Sequence, residues 1–81
     1  MYRLRIIAGI MEPTAEDIAR FLLRKGYPEV RYGPVKSSYA VYVGKFDSKD
    51  SPEAEAFRKK FTEMEYLDGT PFKTAYYVVS E

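Results

Sequence analysis

The chain has no cysteine, no histidine and no tryptophan. Without cysteine there is no disulfide, no thiolate nucleophile and no cysteine-held metal. Without histidine the commonest general base and the commonest transition-metal ligand are missing. The usual nucleophile–base pairs cannot be assembled from what is left. The expectation is a chain that is not an enzyme, with no catalytic residue, no metal and no cofactor. Asp47 and Asp50 flank Lys49 in a polar stretch, and Glu53 and Glu55 open a helix. They read as solvated charges, not as an acid–base pair. The same stretch lacks the Asp/Asn ladder and closing Glu of a calcium loop.

Long apolar runs are absent too. None approaches the ~20 residues that span a bilayer, so no membrane span is expected. Met1 to Arg5 carries no apolar signal-peptide core. The chain is therefore expected in the cytoplasm if complete, or in the cell envelope if cut from an exported parent. Net charge is also slight, with 13 basic against 12 acidic residues, or +1. That balance argues against a strong non-specific nucleic-acid binder.

Tyrosine is what the chain has in plenty: eight Tyr beside five Phe, for an aromatic content of 16%. Tyr suits half-buried surfaces and binding faces, with an apolar ring and a hydrogen-bonding tip. Eighty-one residues make one domain, 1–81. A chain of this size buries roughly 60–65% of its unfolded surface, so its core is modest.

The clearest strand is Ser38 to Phe46. Tyr39, Val41 and Val43 fall on one face, Ala40 and Tyr42 on the other, and Gly44 stands where the backbone must bend. Tyr2 to Ala8 also alternates and reads as the first strand. Gly9 to Pro13 reads as loop. Thr14 is the expected N-cap of a helix over about Ala15 to Lys25, stopped by Gly26. Ile18, Phe21 and Leu22 form its apolar stripe, widened by Ala15, Ala19 and Leu23, and Glu16–Arg20 is an i,i+4 pair. A short strand over Glu29 to Tyr32 precedes a turn at Gly33 to Ser38. Ser51 caps a second helix with Pro52 at its first position, and Ala54, Phe57, Phe61 and Met64 make a narrow stripe. A turn at Asp68 to Pro71 leads to a last strand, Phe72 to Val79.

The order βαββαβ predicts an α+β, ferredoxin-like domain. Its antiparallel sheet has strand order 4-1-3-2, with two helices on one face. The other face is left open. With Leu4, Ile6, Val41 and Val43 inward, Arg3, Arg5, Ile7, Ala40 and Tyr42 face out, joined by Arg31. Periodicity in the last strand is ambiguous between Tyr76 and Tyr77. Placing Tyr76 and Val78 inward makes Tyr77 the exposed ring. The candidate ligand-binding residues are thus Arg3, Arg5, Arg31, Tyr42 and Tyr77. Rings stack on sugars or bases, and Arg bonds hydroxyls, carboxylates or phosphates.

Tyr39-Ala40-Val41-Tyr42-Val43-Gly44-Lys45-Phe46, followed by a polar loop and a capped helix, resembles the Y-x-V-x-V-G-x-F signature of SPOR domains. These are peptidoglycan-binding modules named for sporulation and found in bacterial cell-division proteins. The resemblance spans nearly the whole chain in element order. In the first strand Tyr2, Leu4 and Ile6 match, while Arg5 stands in place of the family's outward Gln and Ile7 in place of its Gly. The resemblance implies the same fold and a partner: glycan strands stripped of their stem peptides, held on the open sheet face. Two other readings share the topology. One is a single-stranded RNA module of the RRM type. That reading lacks an RNP1-like run and has Arg where strand one would need a ring. The other is a protein-interaction domain, a monomer or weak homodimer, pairing through the open sheet or the edge of strand two.

Overall fold

The computed structural model describes residues 1–63 and 75–79. Its elements are β1 (Tyr2–Ile10), α1 (Glu12–Arg24), β2 (Arg31–Val35), β3 (Ser38–Phe46), α2 (Pro52–Glu63) and β4 (Tyr76–Val79). The strands form one antiparallel sheet in the order β2-β3-β1-β4, which is the expected 4-1-3-2 order of the ferredoxin-like α+β fold. The expected turn at Asp68 to Pro71, Met64 of the second stripe and residues 72–74 of the last strand lie outside the described residues. Among the described residues no helix is long and apolar enough to cross a membrane.

One cluster holds the domain together. Leu4 and Ile6 of β1 and Val41 and Val43 of β3 pack with Ala15, Ile18 and Leu22 of α1, Phe61 of α2 and Ala75. Residues of both helices meet the same strand positions, so both helices cover one face. Tyr27, Phe46, Phe57, Phe61 and Tyr77 add an aromatic seam. Tyr27 lies 4.9 Å from Phe61, and Phe46 lies 5.2 Å from Phe57, between ring centroids. Such pairs stabilise beyond the area they bury.

The helix ends follow local chemistry. Ser51 Oγ accepts the Ala54 N–H at 3.1 Å, as expected of an N-cap. Glu16 and Arg20 meet at 2.6 Å on the surface of α1. Gly26, at φ +87°, closes α1 as its own N–H bonds the Leu23 carbonyl and the Tyr27 N–H bonds the Leu22 carbonyl. The start of α1 differs from expectation. Thr14 lies inside the helix, which begins at Glu12 after Met11 in an extended conformation, with no side-chain cap. Pro13 in the first turn makes this possible, because its missing N–H has no intrahelical partner to lose there. Leu23, placed on the apolar side from sequence, is 58% exposed.

Strand β2 also differs, running Arg31–Val35 and not Glu29 to Tyr32. Pro34 sits inside it, paired with Tyr39. Proline is tolerated because β2 is an edge strand. A two-residue connection, Lys36–Ser37, then joins Val35 to its partner Ser38.

Candidate functional site

The strand register brings four residues into a line. Arg31 pairs with Tyr42, Tyr42 with Arg5, and Arg5 with Tyr76. Directly opposed residues share a face, so the line Arg31–Tyr42–Arg5–Tyr76 crosses all four strands on the side away from the helices. At ordinary strand spacing it is about 14 Å long. Arg3, two residues along β1, starts a second line with Val78. Lys45 precedes Phe46, whose ring packs on Phe57 and Tyr77. Alternation therefore sets Lys45 on the open face, where it is exposed.

Arg3, Arg5, Arg31 and Tyr42 thus occupy the open face as expected. Tyr77 does not. It pairs with core-facing Leu4, and its hydroxyl donates to the Ala54 carbonyl of α2 at 2.6 Å. Burial, with the Glu55 charge second, pushes its phenol up to about 12, while Arg58 pulls the other way. The ring is turned under α2 because a buried phenol needs an acceptor, and the first turn of α2 supplies one. Tyr76, 44% exposed, takes the outward place. Adjacent tyrosines at 76 and 77 carry no periodicity to choose between the two registers of β4. Ala75 was the usable signal: it belongs to the core and shares the parity of Tyr77.

Ile7 is a second correction. A bulge between Arg5 and Ile7 breaks the alternation of β1, so Ile7 pairs with Val41 and packs on the core. An extra residue in one strand turns every later side chain to a new face. The open face therefore has less aliphatic area than the sequence suggested.

Arg5 stacks on Tyr76, with Cζ 4.6 Å from the ring centroid. Stacking fixes the guanidinium plane and leaves its edge for donation. Among the described residues the buried Nε atoms of Arg3 and Arg5 have no hydrogen-bond partner. Among the described residues neither arginine has an ion pair; Arg31 meets Glu29 at 3.8 Å near the surface. The other notable concavity is an open cleft of about 370 Å³ along Phe46, Asp47, Ser48, Ser51, Pro52 and Glu53. Its carboxylates repel anions, and both serine hydroxyls already accept backbone N–H bonds. Tyr39 lies on the helix side of β3. Its phenol is held above the ordinary range by the Glu12 carboxylate first, with lesser contributions from burial and from a hydrogen bond to Glu12.

Comparison with protein-family models, with curated proteins and with solved structures finds no match.

Proposed function

We propose that this domain is a non-catalytic binding module that takes up peptidoglycan glycan strands stripped of stem peptides, as part of an exported protein. The observation that carries this reading is the line of Arg31, Tyr42, Arg5 and Tyr76 across the uncovered sheet. The Tyr42 ring offers a flat face to a pyranose, and the guanidinium groups of Arg31 and Arg5 on either side of it donate to oxygen. The resemblance of Tyr39 to Phe46 to the SPOR signature supports the same ligand class. Single-stranded RNA is the competing ligand. It is disfavoured because the two central strands carry one outward ring in this line, Tyr42, with Arg5 beside it, whereas RNA platforms of this kind stack bases on rings from both.

Sedimentation with cell-wall sacculi tests the proposal. The domain is expected to co-sediment with amidase-denuded sacculi and less with intact ones. Arg5→Ala and Tyr42→Ala should remove binding while leaving the circular dichroism spectrum unchanged. Retention of both variants on denuded sacculi would rule out the sheet face.

A further inference from the structure

The hydrogen-bonding character of the open face is lopsided. Arg3, Arg5, Arg31 and Lys45 gather there in a chain whose charges nearly cancel overall, at +1. Arginine and lysine only donate. A sugar hydroxyl donates as well as accepts, so a neutral glycan would leave its own O–H groups without partners over most of this surface. A carboxylate only accepts, and two of its oxygens match the fork of a guanidinium. Arg3 and Arg5 are two residues apart on one strand, about 7 Å, near enough for one ligand segment to meet both. Both lack ion-pair partners among the described residues, and their Nε atoms are already sealed and unpaired. The Tyr76 ring under Arg5 holds its plane in place before any ligand arrives.

We infer that this face recognises acid groups: its ligand is an acidic glycan whose carboxylates are taken by Arg3 and Arg5 beside Tyr42. The inference rests on the glycan reading above and specifies it. Removing an amide-linked peptide from a sugar acid uncovers a carboxylate on that sugar. Acid recognition therefore accounts for a preference for stripped strands without any contact to the missing peptide.

The test uses soluble denuded glycan chains, labelled at one end, in two forms. One keeps its carboxylates; in the other they are capped as neutral methylamides. Fluorescence anisotropy measures binding to the unaltered domain at low and high salt. The capped chains should bind roughly 10- to 100-fold more weakly, the loss expected for charge-assisted hydrogen bonds. Affinity for the uncapped chains should fall with salt, as screening predicts. Arg5→Lys, which keeps the charge but loses the fork and the stack, should weaken uncapped binding by a larger factor than capped binding. Equal affinity for both forms would overturn acid recognition and leave the glycan reading standing. Binding of neither form, or tighter binding of a single-stranded oligonucleotide of similar length, would overturn both. The capped and uncapped comparison needs no variant, so it decides the matter even if Arg5→Lys misfolds.

Discussion

Gly44→Ala is the most revealing single change in this domain. Gly44 is buried in β3 at φ +75°, and its N–H bonds the Pro28 carbonyl at 3.1 Å. It lies in the irregular stretch of β3 between the partners of Tyr2 and Leu4. Two costs follow from geometry. A left-handed backbone costs an L-residue about 1–2 kcal/mol. A Cβ built at this position would stand 2.9 Å from Phe46 Cε2 and 2.9 Å from Phe57 Cε2, closer than packed carbons allow. Relieving such overpacking costs about 1–3 kcal/mol. The sum is roughly 2–5 kcal/mol, and the midpoint temperature should fall by at least about 10 °C for a domain of this size. Gly26→Ala is the control. Gly26 also has a positive φ, +87°, but nothing lies within 4 Å of its added methyl. It should lose only the backbone share, about 1–2 kcal/mol. Urea unfolding followed by circular dichroism gives both values. Phe57→Leu in the Gly44→Ala background should recover part of the loss. If Gly44→Ala proves no worse than Gly26→Ala, the rings yield freely and the steric argument is wrong.

Val41 is fully buried on the helix-covered face of the sheet, so Val41→Ala should cost roughly 1–3 kcal/mol. An unchanged melting temperature would mean that the faces of β3 are reversed. Tyr77→Phe should cost about 1 kcal/mol through the lost bond to Ala54. Its pH dependence has a definite sign. The folded phenol is raised from 10.0 to about 12, so the unfolded chain ionises first. Stability from this group is full below pH 10 and declines across pH 10 to about 12. Urea midpoints over that window should fall more steeply for the parent domain than for Tyr77→Phe, and parallel curves would contradict the assignment.

Much of the fold was legible because it rests on local rules. The alternation of Tyr39, Val41 and Val43, the Ser51–Pro52 start of α2 and the Gly26 stop each state their role within a few residues. The misreadings share a different cause. Met11 begins α1 through its backbone, with no side chain to advertise it. Pro34 looks like a turn until the sheet places it on an edge. The bulge after Arg5 comes from the pairing of two distant strands, and it alone turns Ile7 inward. Of the candidate site, Arg3, Arg5 and Tyr42 were readable by parity from strands with clean patterns, and Arg31 keeps its face although β2 lies further along the chain than its pattern suggests. Tyr76 was not, since two adjacent tyrosines carry no period, and what separates them is a carbonyl of α2 that only the folded chain supplies.

Pro34 has a consequence for how copies of this domain meet. With a two-residue connection, Val35 and Ser38 form the closing hydrogen-bonded pair of the hairpin. Alternation along an antiparallel pair then points the Pro34 nitrogen away from the sheet, toward solvent. A fifth strand docking on this side would find no donor there, so its ladder would be interrupted at the fourth residue of a five-residue strand. Edge-to-edge pairing of copies through β2 therefore meets a missing donor. The guanidinium-and-ring face is thus left uncovered beside an edge that offers an incomplete ladder to a second strand.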